Sequence, residues 1–207
     1  MRRERAEHGG LADPQVDHRN TARLKEIIHG GGGFPGTSLV GDDGANAAWL
    51  IVQHASADRP FQVRCLALIR GAVDAGEASP RSYAYLLDRV RLSGQEPQVY
   101  GTQYRVAADG RITCREIEDP QGVDARRHSV ALEPLRAYLT VAAALSPART
   151  TLGFRGPNVQ LTDVSPTLTR ARITETGRTA AVDVEWDPVA LCCRVLPETA
   201  REGESQA

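Results

Sequence analysis

Residues Gln98–Pro120 read QVYGTQYRVAADGRITCREIEDP. Upstream of this stretch apolar residues recur every three or four positions. Here they alternate, around the dipeptide Asp109-Gly110. Alternation about an Asp-Gly step is a strong β-hairpin signal. The pattern predicts strands over 98–106 and 111–118 joined by a two-residue turn. That turn sets Gln103 opposite Glu116 and Gly101 opposite Glu118, on one face, with Tyr104 and Ile117 turned to the other. Asp119-Pro120 then breaks the second strand.

Working outward towards the N-terminus, four helices are expected. The first starts near Val16 with Leu24, Ile27 and Ile28 as its apolar stripe, and ends at Gly30–Gly33. The second follows Asp42-Asp43-Gly44, an Asp serving as its cap. It carries Ala47, Leu50, Ile51 and His54 on one side and Trp49 and Gln53 on another. Two covered sides make it a central helix. The third opens at Asp58-Arg59-Pro60, buries Phe61, Cys65, Leu68, Ile69, Ala72 and Val73, and stops at Gly76. The fourth has Ser79 at the cap and Pro80 at the first helical position, buries Tyr83, Leu86, Leu87 and Val90, and closes at Gly94.

Towards the C-terminus a fifth helix is expected from about Leu132 to Leu145. After Ser146-Pro147 come four strand-like runs, VQLTDV, TLTRARITE, TAAVDVEW and ALCCRVL, with turns at Thr176-Gly177-Arg178 and Asp187-Pro188. The expected fold is therefore α+β: a mainly helical body of about five helices, one β-hairpin (98–118) and a small C-terminal antiparallel β region. The expected division is a disordered leader (1–14), a helical domain with the hairpin (15–146), a small β appendage packed on it (147–198) and a disordered tail (199–207).

Composition narrows the function classes. The chain has 207 residues, 41% apolar and 25% charged, with a formal net charge of −1. Generic affinity for nucleic acid or anionic membrane needs clustered excess Lys and Arg, so neither is expected. No stretch approaches the roughly 20 apolar residues that span a bilayer. MRRERAEHGG has no apolar segment behind its basic residues, so a cytoplasmic location is expected. Cys65, Cys114, Cys192 and Cys193 form no CxxC, and they read as reduced structural thiols. The five histidines show no HxH or HExxH spacing, and no phosphate loop or GxSxG elbow is present, so no metal or cofactor is expected.

Several separated words, GFPGTSLVGDDGANAAWLIVQHA, GEASP, YLLDRV, YGTQ and IEDPQGVDARR, resemble in the same order those of a bacterial family known only as a domain of unknown function. The resemblance covers about residues 16–139. Its pattern reads GWPGxSLVGxxGAxAAWLxxQHAD, so this chain has Phe34 in place of a Trp and Ser56 in place of an Asp. The family lends no activity, and the chemistry rests on the residues.

His54 is the first candidate, as a general acid/base seated on an apolar face. The plainer alternative is a core histidine tying two helices. Glu118 is the second catalytic candidate. Gln53, Trp49, Tyr100, Gln103, Arg126 and Arg127 are candidates for holding substrate, the arginines because a guanidinium grips carboxylate or phosphate with paired hydrogen bonds. Against the arginines stands a capping Asp124 with salt-bridged neighbours. The reading is a small-molecule enzyme without redox cofactor, performing hydrolysis, elimination, isomerisation or cyclisation. A binding module using the same pocket is the alternative, and polar words acting only as folding glue are a third. The partner expected is a small molecule, and homodimerisation is left open.

Overall fold

A computed structural model describes residues 14–150, 158–175, 178–196 and 201–204. The leader expected over 1–14 falls almost wholly outside the described residues. Six helices and seven strands occur among the described residues, and the fold is α+β. The chain forms two compact units, Met1–Val99 and Tyr100–Ala207. The first unit holds the four N-terminal helices, and the hairpin falls in the second.

The first unit holds α1 (Pro14–Gly31), α2 (Thr37–His54), α3 (Arg59–Asp74) and α4 (Pro80–Ser93). Leu24 and Ile28 of α1, Ala48 and Val52 of α2, Phe61, Cys65 and Ile69 of α3, and Leu86 and Val90 of α4 form its core. Asp58 caps α3, its carboxylate accepting from Phe61 N at 3.1 Å. In α1 the stripe is narrower than expected, since Ile27 is 41% exposed.

α2 begins earlier than Asp42 and is broken inside. Gly41 has φ 70° and ψ 169°, so one short turn, Thr37–Val40, precedes the main helix. Only glycine adopts that backbone without strain. The turn is held by GEASP: Thr37 N donates to Glu77 O, Ser38 N to Glu77 Oε2 at 2.9 Å, and Ser38 Oγ to Glu77 Oε1 at 2.6 Å. A Cβ on Gly36 would lie 2.7 Å from Glu77 Cβ and 3.1 Å from Glu77 O, so the close approach needs a glycine. The buried seam of α2 is Ala45, Ala48, Val52 and Gln53, not Ala47, Leu50 and His54. His54 sits two residues, some 200° of helix rotation, past Val52. It is exposed, which corrects its expected place among aliphatic side chains.

The second unit is one antiparallel sheet with helices α5 (Val123–Ser129) and α6 (Leu135–Thr150). Its strands are β1 (Tyr104–Val106), β2 (Ile112–Cys114), β3 (Asn158–Ser165), β4 (Leu168–Glu175), β5 (Arg178–Asp187), β6 (Cys192–Val195) and β7 (Arg201–Glu204), in the order β1-β2-β6-β5-β4-β3, with β7 also on β5. The hairpin is thus part of the same sheet as the C-terminal strands, through Ile112↔Cys193 and Thr113↔Cys192. Ala171, Ile173, Ala180, Val182, Val184, Cys193 and Ile112 pack with Leu135, Leu139, Ala143 and Ala144 of α6. α5 was not expected.

Two details differ from the sequence pattern. The hairpin register is Tyr104↔Cys114, Arg105↔Thr113 and Val106↔Ile112. Gly110 N donates to Ala107 O and Ala107 N to Arg111 O, each at 2.9 Å, with Gly110 at φ 79°. The loop therefore has three residues, with glycine in the left-handed position that this loop length requires. One extra loop residue shifts every pair by one, so Gln103 O accepts from Arg115 N instead of facing Glu116. Secondly, part of the expected disordered tail, Arg201–Glu204, forms β7. It pairs with Arg178–Ala181, while β6 covers Val184–Asp187 further along β5. A ladder is made by main-chain groups, which an aperiodic side-chain pattern does not reveal.

Candidate functional site

The first unit contains a cavity of about 250 Å³. Phe34, Ala45, Trp49, Ile69 and Ala78 give it apolar walls, and Asp42, Asn46, Ser79 and Ser82 are its polar lining. Three of these, Asp42, Asn46 and Trp49, follow i, i+4, i+7 spacing and so share one stripe of α2. Trp49 is fixed: its Nε1 donates to Ser82 O at 2.8 Å, and its ring meets Tyr85 at 6.1 Å between centroids, inclined at 76°. Asp42 makes no ion pair, and the Asn46 side chain no hydrogen bond, with any described residue. The Ser79 hydroxyl does not cap α4. The cavity therefore combines a preset aromatic wall with polar groups not spent on the fold.

Gln53 continues the same stripe one turn on and is 4% exposed. Its Oε1 accepts from Arg89 Nε at 2.6 Å, which orients the amide, since Arg Nε can only donate. Its Nε2 has no acceptor among the described residues. Asp88, fully buried, accepts from Val99 N at 2.8 Å. The words QHA and YLLDRV are thus joined by hydrogen bonds within this unit. His54 follows Gln53 at the end of α2, with its ring exposed.

Trp49, Gln53 and His54 belong to the first unit, and Tyr100, Gln103, Glu118, Arg126 and Arg127 to the second. Arg127 is fully buried. It donates to Glu133 O at 2.6 Å, Tyr100 O at 2.8 Å and Gly101 O at 3.4 Å, and lies over the Tyr138 ring at 4.9 Å. It ties the YGTQ segment to the start of α6. Arg126 pairs with Asp119 at 2.8 Å, and that carboxyl is held below the usual range by the Gly122 N–H first and Arg126 next. Asp124 accepts from Leu135 N at 2.7 Å, capping α6 from α5. A Cβ on Gly101 would meet Ile117 Cδ1 at 2.9 Å and Leu135 Cδ1 at 3.0 Å, so aliphatic groups fill the space expected to be open. Gln103, Glu116 and Glu118 lie beyond the paired strands. Glu118 is exposed, and the Gln103 amide donates to Thr102 Oγ1 at 3.1 Å.

Among the described residues no group of three His, Cys, Asp or Glu is placed to hold a metal ion, and no helix is long and apolar enough to cross a membrane. None of the four cysteines is in a disulfide. Of the residues lining the cavity, Trp49 is also a candidate from the sequence, whereas Asp42, Asn46, Ser79 and Ser82 are not. The signal for the first two was present, as a polar stripe in register with Trp49.

Fold and cavity define an α+β protein with a hollow the size of a small molecule in its helical unit. The chain belongs to the family of unknown function DUF6624, whose model matches residues 11–146. No curated protein and no solved structure matches it.

Proposed function

We propose that this protein is a cytoplasmic binder of a small molecule, held in the cavity walled by Trp49 and Phe34. The observation that carries the reading is the cavity itself, apolar in its walls with four polar side chains around it. Ligand sites combine those features. A cavity of about 150 Å³ already takes benzene, so this one suits a single ring with a short polar arm. Free thiols fit a reducing compartment.

The test uses three single-ring probes, 2-phenylethanol, 2-phenylethylamine and 3-phenylpropionate. Each is titrated while the Trp49 indole N–H resonance is followed, assigned by its loss in Trp49→Phe. At least one probe is expected to shift it saturably, and Ala78→Leu, which fills the hollow, is expected to remove the shift. Silence from all three probes overturns the reading.

Acid/base chemistry at His54 is the second reading. It is supported by the exposed position of His54 at the end of α2. The imidazole would give or take a proton at that surface. His54→Gln would then abolish conversion with binding intact. Conversion that survives in this variant removes His54 from the chemistry.

A further inference from the structure

We infer that the cavity of the first unit selects a small organic cation, an ammonium on a short arm carrying an apolar or aromatic body. The inference rests on the small-molecule reading above and narrows it. Among the described residues that line the cavity, Asp42 is the one charged group, and none is Lys or Arg. Asp42 is exposed and its carboxylate forms no ion pair with any described residue, so its charge is uncompensated beside the apolar walls. Water screens part of the attraction, and the apolar walls on the other side, which polarise less, leave it stronger than in bulk water.

The aromatic walls act in the same direction. The Trp49 N–H is spent on Ser82 O, so the indole offers its π system, and an ammonium is drawn to that negative face. One feature opposes cations. Ser79 precedes the first turn of α4, whose dipole places about half a positive charge there. A full carboxylate outweighs half a charge at comparable distance. The Ser79 and Ser82 hydroxyls accept as well as donate, so they accommodate N–H groups.

The three probes separate this inference from the reading beneath it. 2-Phenylethylamine and 2-phenylethanol share a body and differ in charge, and 3-phenylpropionate inverts the sign. The amine is expected to bind about tenfold tighter than the alcohol, with the acid weakest. Asp42→Asn is expected to bring the amine to parity with the alcohol. Binding of all three with equal affinity, or an amine preference that survives Asp42→Asn, overturns the cation inference while the cavity stays a binding site. Binding of none overturns both.

Discussion

Arg127 shows how one residue carries two readings until its surroundings are known. A basic pair after an Asp suggests an anion clamp, yet this guanidinium is buried on backbone carbonyls. Arg127→Met is expected to lower stability by about 3–5 kcal/mol, because the carbonyls lose their donor inside the core. Arg126→Ala, at a partly exposed ion pair, is expected to cost less than about 1 kcal/mol. Urea denaturation distinguishes them, and equal losses would contradict the assignment. His54→Gln at an exposed position is expected to stay within about 0.5 kcal/mol of the parent. The thiols are equally specific. Burial pushes Cys65 up to about 12 and Cys193 up to about 11. The thiolate is the reactive form, so iodoacetamide at neutral pH should leave both unmodified until the chain is unfolded. Rapid labelling of native Cys65 would show that α3 opens.

At the scale of elements, α2 is decided by Gly41 and by its neighbours. Gly41→Ala is expected to cost about 1–3 kcal/mol, since φ 70° with ψ 169° is strained for any side chain. Thermal melting measures it, and an unchanged midpoint would mean that the helix runs straight through. The apolar pattern of α2 allows more than one buried face, because Leu50 and Ile51 are as hydrophobic as Val52. Packing against α1, α3 and α4 selected Ala48 and Val52. The hairpin was legible as a hairpin from Asp109-Gly110, but not its register. A three-residue loop and a two-residue loop use the same dipeptide, and they differ by one step in every pair. Adjacent Cys192 and Cys193 follow from the strand itself. Successive side chains point to opposite faces, so Cys193 enters the core under α6 while Cys192 does not belong to that cluster.

Across the whole molecule, each unit has its own core and acid-sensitive carboxylates of its own. Asp58 in the first is held below its usual range by the hydrogen bond from Lys25, then by Phe61 N–H. Asp183 in the second is held down by Arg170, which grips it with two bonds at 2.7 and 2.8 Å. A carboxyl whose folded pKa lies below the unfolded value of about 3.9 binds fewer protons folded than unfolded. Its contribution is complete above that value and is lost as pH falls through the lower one. Urea midpoints should therefore drop between neutral pH and about pH 3, and Asp183→Asn should flatten the drop. A steeper acid limb in that variant would reverse the sign.

The sequence by itself determined the local elements. Four N-terminal helices, the hairpin and the four strand-like runs after it follow from periodicity, caps and turn residues, because those signals act over a few neighbouring positions. It also determined where the dense words lie. Only the tertiary structure decided which helix faces are buried, that the hairpin continues into the C-terminal sheet, and that Arg127 serves the backbone while Asp42 and Asn46 face a hollow. The physical reason is that burial and hydrogen-bond partners are contributed by residues distant in the chain. A residue type fixes what a side chain can do, and its neighbours in space fix what it does.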